Sequence, residues 1–234
     1  MGRLLHMALM LRKYLDYILK TCLCRFDKAF SLQQAKVKWI RYDIEKSNKV
    51  TIENCKLAKC SFSIKGKNNK VSCLEHADMA FSGIHIYGDN NIIVLNGCLG
   101  ILNLTIRGNN HYIEIGKKTA MEDVYMISMG VDNKITIGEN CMISGDVEIW
   151  NTDSHLITDL ADNPVNPSLP VTIGNHVWIG KHVKILKGVH IGDGSIVGMS
   201  SVVTKDVPNY AIAAGNPARV VKENCKWKHG FIQI

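Results

Sequence analysis

One histidine stands in a stretch of the chain that is built differently from its surroundings. Residues 151–170, NTDSHLITDLADNPVNPSLP, contain three prolines and three aspartates and lack the repeat found on either side. Within this excursion, His155 follows Asp153 by two positions. An imidazole changes charge near neutral pH, so His155 could take a proton from a hydroxyl group and pass it on, with its ring oriented by Asp153 or by a backbone carbonyl. Polar excursions of this length are usually functional, which makes His155 the first candidate for chemistry.

The other histidines do not group in a way that suggests a metal. His176 and His182 stand on successive corners of the repeat described next, and these corners point in different directions. A metal site needs three or four ligands that converge on one point, so we expect none in this chain. Glycine-rich phosphate loops, nucleophile elbows and Cys/His dyads are also not recognisable.

A repeat of six residues must position the candidate residues. Aliphatic residues recur at every sixth position in the last third of the chain, namely Ile173, Ile179, Ile185, Ile191, Val197 and Val203. A helix repeats every 3.6 residues and a strand every 2, whereas a period of six is typical of a parallel β-helix with triangular coils. We expect these aliphatic side chains to point into the prism and Trp178, one position before Ile179, to lie on its surface.

A second repeat extends the coils towards the N-terminus. The pattern is a glycine, one variable residue and then two residues that are mostly asparagine, and it recurs from Gly66, Gly88, Gly108 and Gly130. Each interval is slightly longer than one coil, and Gly and Asn tolerate the positive φ that a sharp corner requires. We interpret these segments as corners whose stacked asparagines hydrogen-bond to each other, without a catalytic role.

Composition limits the remaining possibilities. The chain has 234 residues, is 46% hydrophobic and 7% aromatic, and has a net charge of +7. This charge suits an anionic membrane, glycan or phosphorylated cofactor, but no run of five basic residues or nucleic-acid module is present, so we expect no nucleic-acid partner. The eight cysteines form no CxxC pair and are expected to be reduced, with Cys141 buried as a small apolar side chain.

The predicted organisation has three parts. Residues 1–49 are a helical extension (1–30) and a connection (31–49), residues 50–207 are the β-helix, and residues 208–234 are a C-terminal cap and tail. The apolar run from Leu4 to Leu11 is too short to span a bilayer, and Leu15 continues one apolar face of the predicted helix beyond it. This face could pack on the protein itself or on a neighbouring subunit, or attach to an anionic membrane surface.

The hexapeptide repeat, the excursion with its histidine, and the motifs VTIGNHVWIG, VVTKDVP and AAGNPARVV together resemble the left-handed β-helix acyltransferases. Within them, the chain is most similar to galactoside, maltose and xenobiotic acetyltransferases and to O-acetyltransferases of bacterial surface polysaccharides. The resemblance is strong over residues 135–222. It implies an all-β fold, a left-handed parallel β-helix with a protruding loop, to which the sequence adds an N-terminal helical segment and a short C-terminal cap. It also implies a homotrimer with active sites between subunits and acetyl-CoA as the acyl donor, without a metal.

The resemblance also assigns roles to individual residues. His155 matches the family's catalytic base, with Asp153 beside it. Trp178 matches a tryptophan implicated near that histidine, although packing on a neighbouring subunit would also explain its exposed position. The positions that match contacts to the pantetheine arm of acetyl-CoA are Lys181, Met199, Thr204 and Lys205. Arg219 and Lys222 match positions near the nucleotide, where cations suit phosphates.

The most specific hypothesis is an O-acetyltransferase that modifies a sugar hydroxyl, in a bacterial surface polysaccharide or its precursor, by direct transfer with His155 as general base. An acetyltransferase of a small molecule, such as an amino sugar, an amino acid or an antibiotic, is the alternative. A non-catalytic scaffold is the third hypothesis. We expect a cytoplasmic protein, and contact of the N-terminal helix with the inner face of the membrane is one of the alternatives given above for its apolar face.

Overall fold

A computed structural model describes residues 29–230 of the chain. The predicted N-terminal helix lies outside the described residues, except for its last two positions, and so do the last four residues of the tail. Within the described range there are 24 β-strands and no α-helix, and hence no helix that could cross a membrane. The strands are β1 (Phe30–Gln33), β2 (Lys36–Lys38), β3 (Arg41–Ile44), β4 (Lys49–Glu53), β5 (Lys56–Ala58), β6 (Ser61–Lys65), β7 (Lys70–Leu74), β8 (Asp78–Ala80), β9 (Gly83–Tyr87), β10 (Ile92–Asn96), β11 (Leu99–Asn109), β12 (Tyr112–Ile115), β13 (Ala120–Val131), β14 (Lys134–Ile137), β15 (Met142–Ile143), β16 (Val147–Trp150), β17 (Val171–Ile173), β18 (Trp178–Ile179), β19 (Lys184–Ile185), β20 (His190–Ile191), β21 (Ile196–Val197), β22 (Val202–Val203), β23 (Ile212–Gly215) and β24 (Ala218–Lys222).

The strands stack into a parallel β-solenoid with three faces, as the hexapeptide period predicts. Face 1 runs β1-β4-β7-β10-β12-β14-β17-β20, and face 2 runs β2-β5-β8-β11-β13-β15-β18-β21-β23. Face 3 contains β3, β6, β9, β16, β19 and β22, together with the C-terminal halves of β11 and β13, which continue into it from face 2. The chain therefore passes through all three faces in each coil before it starts the next.

The prediction that residues 31–49 form a plain connection is wrong. Strands β1, β2 and β3 form a complete coil that pairs in parallel with β4, β5 and β6. The apolar residues of this coil, such as Leu32 and Ile44, alternate with polar ones but lack the glycine and asparagine markers of later coils. The solenoid therefore begins about 20 residues earlier than the pattern indicates, at Phe30.

The interior of the prism is a continuous column of aliphatic side chains. Ile179 lies in register between Ile143 and Val197, and all three are at most 2% exposed. Alternate side chains of each strand point outward, so every coil buries one narrow apolar layer between those above and below it. The five cysteines of the core, including Cys141, are buried free thiols, and burial raises the pKa of Cys98 to about 12.

The predicted asparagine ladder is present at the corner between faces 3 and 1. The Asn48 side-chain oxygen accepts hydrogen bonds from the backbone and side-chain N–H of Asn69, each 2.9 Å long. Asn69 binds Asn91 in the same way, and Asn91 accepts a bond from the backbone N–H of His111. The ladder satisfies buried polar groups where the chain turns, which stabilises the stacking of the coils.

The last coil ends in a short cap. Strand β24 turns back and pairs antiparallel with β23 on face 2. Beyond it, Trp227 packs against the solenoid and is 7% exposed. The cap covers the C-terminal end of the stack, where unpaired strand edges would otherwise face solvent.

Candidate active site

The excursion 151–170 leaves the solenoid at the corner between faces 3 and 1. It follows β16 directly, and β17 resumes the stack in register with β14. Asn151, at the base, is buried, accepts a bond from Met129 N–H and donates one to Ser128 Oγ at 2.7 Å. At the other end, Leu169 N–H donates to Asn151 O, and Gly188 N–H to Pro170 O. Both ends of the loop are thus held by the solenoid.

His155 is exposed near the start of this loop, and its backbone is held from both sides. Its N–H donates to Asp153 O at 2.8 Å, and its own carbonyl accepts a bond from Asn166 Nδ2 at 2.8 Å. None of the described residues makes a hydrogen bond to the imidazole ring. The arrangement presents an open imidazole on a fixed backbone, which leaves its unprotonated ring nitrogen free to accept a substrate proton.

Asp153 braces the loop and is not bonded to the His155 ring. Its carboxylate accepts hydrogen bonds from Lys187 Nζ and from Asn166 Nδ2, the latter 2.9 Å long. Lys187 Nζ also donates to Pro167 O at 3.2 Å. The Lys187 ammonium, followed by the Asn166 amide, holds the pKa of the Asp153 carboxyl below its usual range. The sequence analysis missed Lys187 and Asn166; a lysine just before Gly188, in the coil that follows the loop, was the one available signal.

Trp178 lies outward on face 2, as the hexapeptide phase predicts, and is 37% exposed. Its ring centroid is 6.1 Å from that of Trp227 in the C-terminal tail of the same chain. Trp227 in turn stacks on His176, with ring centroids 4.1 Å apart, and donates from its indole N–H to His176 O. Part of the Trp178 environment is therefore supplied by the tail of its own protomer.

His155 and Trp178 lie on different sides of one protomer. The loop that carries His155 is held at the corner between faces 3 and 1 by Asn151 and Lys187, whereas Trp178 is on face 2, opposite that corner. A single prism thus does not bring the two side chains together. If both act in one site, they must come from two copies of the chain.

The six residues matched to donor contacts are exposed on the surface of the last coils. Lys181 and Met199 lie at equivalent positions one coil apart, at the corner after face 2. The two coils approach closely there, since a Cβ added to Gly180 would lie 2.7 Å from Met199 N. Thr204 and Lys205 follow β22 at the other end of face 3. Arg219 and Lys222, on β24, lie in the cap.

Charge at these positions suits an anionic ligand. Lys181 Nζ is 3.5 Å from an Asp146 oxygen, and within residues 29–230 the other three cations, Lys205, Arg219 and Lys222, form no ion pair with a carboxylate. Cations that are not neutralised locally are available for phosphate groups. For a metal, no group of three or more His, Cys, Asp or Glu side chains is placed to hold an ion within the same range.

Comparison with known proteins shows what the chain as a whole is similar to. Residues 170–205 match the family Bacterial transferase hexapeptide (six repeats). Polysialic acid O-acetyltransferase of Escherichia coli O1:K1 / APEC is 41% identical over 114 residues, which cover 48% of this chain and 37% of that protein. Galactoside O-acetyltransferase of Escherichia coli K12 is 45% identical over 103 residues, 44% of this chain and 51% of the relative. The chain thus spans between about a third and a half of the length of these two relatives.

A solved structure extends the likeness to most of the chain. The crystal structure of the polysialic-acid-specific acetyltransferase NeuO superimposes with a TM-score of 0.72 at 28% sequence identity, covering 87% of this chain and 91% of the other. This match covers a larger share of the chain than either of the two sequence relatives does. In its six-residue repeat, its three-faced coils and its relatives, the chain is similar to the hexapeptide-repeat transferases, whose repeat it contains at residues 170–205.

Proposed function

We propose that this protein is an O-acetyltransferase that moves an acetyl group from acetyl-CoA to a sugar hydroxyl of a bacterial surface polysaccharide or its precursor. The observation that carries the proposal is the exposed imidazole of His155 on a loop whose backbone is braced by Asn166 and by the Asp153–Lys187 pair. Relatives named for the O-acetylation of polysialic acid and of galactosides support a sugar hydroxyl as acceptor.

In the proposed reaction, acetyl-CoA supplies a thioester whose carbonyl carbon is open to attack. The His155 imidazole accepts the proton of the acceptor hydroxyl as a carbon–oxygen bond forms, and it returns that proton to the sulfur as the carbon–sulfur bond breaks. No acyl-enzyme forms. Lys181, Met199, Thr204 and Lys205 would contact the donor arm, and Arg219 and Lys222 its phosphates, since four of these six residues are cationic and all are exposed.

The proposal includes a left-handed sense of the coils and a trimer with shared sites, as the family resemblance implies. An apolar column along face 2 supports contact between protomers; its members are Leu99, Ala120, Met142, Trp178, Ile196 and Ile212. A groove of about 350 Å³ lies along the N-terminal half of this column, next to Ser144 and Glu122. A neighbouring copy on face 2 could bring its His155 near Trp178. Since acetyl-CoA is a cytoplasmic metabolite, the proposal includes a cytoplasmic location, and the basic residues before position 29 suit contact with the inner face of the membrane by their charge.

The proposed function is tested by acetyl transfer with the purified protein. Thiol release from acetyl-CoA is followed with acidic and neutral polysaccharides, and the product is treated with mild base, which removes O-acetyl esters but leaves N-acetyl amides intact. We expect an acceptor-dependent rate that falls at least about 100-fold in His155→Ala, because a positioned general base contributes 10²- to 10⁴-fold. His190→Ala, at an exposed histidine on face 1, is the matched control. Wild-type turnover by His155→Ala would refute the mechanism, and a base-stable product would favour acylation of an amine.

A further inference from the structure

Three residues occupy equivalent positions at one corner of the first three coils, far along the chain from His155. Trp39, Lys59 and Phe81 follow β2, β5 and β8 on face 2, and we call them the corner ladder. The backbone N–H of Lys59 donates to Lys38 O, and that of Phe81 to Ala58 O, so the corner is hydrogen-bonded from coil to coil. Neighbouring parallel strands are about 4.8 Å apart, which puts Trp39 and Phe81 roughly 10 Å apart.

Folding alone does not explain the two aromatic residues. Trp39 is 50% exposed and Phe81 59% exposed, although both are large and apolar. Both also have a left-handed backbone, with φ of 59° and 53°, which bulky residues rarely adopt. The chain has asparagine at comparable corners of the same coils, such as Asn54 and Asn68, where φ is similar. Exposed rings in a strained conformation are typical of sites that contact a ligand.

Positive charge surrounds these rings. The Lys59 ammonium lies 4.6 Å from the centroid of the Phe81 ring, which keeps the cation at the surface of the ladder. Lys38 and Arg41 flank Trp39 and are exposed. In the described part of the chain, none of the cations Lys38, Arg41 and Lys59 forms an ion pair.

The charge is also uneven over the whole sequence. Residues 29–75 contain ten basic and four acidic residues, a net charge of +6, whereas residues 76–234 have a net charge of −3. The first coils therefore attract polyanions more strongly than the rest of the chain from residue 76 onward.

We infer that the corner ladder is a binding site for an acidic polysaccharide chain, separate from the site of acetyl transfer. The electron-rich faces of Trp39 and Phe81 suit the C–H faces of pyranose rings, and Lys59, Lys38 and Arg41 suit their carboxylates. The ladder lies in coils 1 to 3, whereas the His155 loop lies between coils 6 and 7. One part of a long acceptor is held at the ladder while another part reaches the imidazole. The inference rests on the proposed function for its choice of a glycan, but binding can be measured without turnover.

The test compares wild type with the double variant Trp39→Asn/Phe81→Asn. Asparagine is favoured at these φ values, so the variant keeps the fold, which circular dichroism and thermal melting verify. Binding of polysialic acid as the acidic probe and of dextran as the neutral probe is measured by calorimetry. We expect binding of polysialic acid, none of dextran, and a rise in Kd of at least about tenfold in the double variant, as expected when two anchoring aromatic side chains are removed. Lys59→Gln is a second variant with the same expected direction, and Tyr112→Ala, at an exposed tyrosine on face 1, is the control.

Other outcomes would overturn the inference. Unchanged polysialic acid binding in both ladder variants would do so. Binding to phosphatidylglycerol vesicles is measured in parallel, and if the variants lose only this vesicle binding, the ladder is a membrane contact. A change of oligomeric state by light scattering with unchanged glycan binding would make it a protein interface. If transfer to glycans is detected but the ladder variants leave the KM for long chains unchanged, this inference fails while the proposed function stands. If polysialic acid binds through the ladder and no acetyl transfer occurs, the proposed function fails while the binding site stands.

Discussion

At the scale of single residues, His111 is the exception in the asparagine ladder. It occupies the position held by Asn69 and Asn91 in the preceding coils and is almost fully buried. Its Nδ1 lies 2.6 Å from Ser128 Oγ, and its Nε2 lies 3.0 Å from Gly130 O. Gly130 O can only accept, so Nε2 carries a proton. In the neutral ring Nδ1 is then the acceptor and takes its bond from the Ser128 hydroxyl, whose oxygen accepts a bond from Asn151.

This neutral ring makes the stability of the fold depend on pH. Burial lowers the pKa of His111 below its ordinary value of 6.5. The unfolded chain therefore binds more protons between the two pKa values, so stability is complete above pH 6.5 and is lost as the pH falls towards the folded-state value. We expect the denaturation midpoint in urea to decrease between pH 7 and pH 5, and His111→Asn to reduce this slope by restoring the ladder residue. His190→Asn, at an exposed histidine, is the control; an identical pH slope in wild type and His111→Asn would contradict the assignment.

At the scale of elements, the excursion is held by one ion pair that reaches across coils. Lys187 is partly exposed, with its side chain 20% accessible, and it joins the Asp153 carboxylate and the Pro167 carbonyl. It therefore ties the start of the loop to its end and to the coil that follows. Because His155 is two residues from Asp153, the geometry of its ring depends on this brace.

Removing the Lys187 brace should impair catalysis more than folding. In Lys187→Met we expect a stability change below about 1 kcal/mol, because partly exposed ion pairs contribute little. Acetyl transfer should fall about tenfold or more, because a small displacement of a catalytic group is costly to the rate. Hydrogen exchange at residues 153–167 should become faster. Lys184→Met is the control: Lys184 lies in the same coil as Lys187 and pairs with Glu148 of the preceding coil, so this variant breaks a similar ion pair without touching the loop. Equal effects of both variants on exchange and rate would show that Lys187 has no special role.

The sequence predicts elements where its pattern is local and misses those held by distant partners. A break in the period of six locates the excursion, and the phase of the repeat places Trp178 outside the prism. The first coil escapes notice, because Val37 and Ile44 lack the glycine and asparagine markers of later coils. The bond from Lys187 to Asp153 joins residues 34 positions apart, and no periodicity reports such a contact. Residue roles at the candidate site remain predictions, since they follow from resemblance.

At the scale of the whole molecule, the solenoid is a one-dimensional stack in which each coil contacts only its neighbours. Interior coils are covered on both sides, as Ile179 is by Ile143 and Val197. The first coil is less enclosed: Val37 is only partly buried, and β2 pairs with β5 alone. In such a stack, stability is close to a sum of coil and interface contributions, so the effect of a substitution depends on its position along the axis.

This dependence can be measured with two core truncations. Ile179→Ala removes a fully buried side chain between two coils and should lower the free energy of unfolding by about 2–5 kcal/mol. Val37→Ala, in the first coil, removes less buried surface and should have a clearly smaller effect, with faster hydrogen exchange confined to coils 1 and 2. Urea denaturation gives the free energies, and exchange followed by mass spectrometry locates the loosened coils. If Val37→Ala instead raised exchange uniformly along the chain, the protein would unfold as one cooperative block, and the coils could not be treated as separate units.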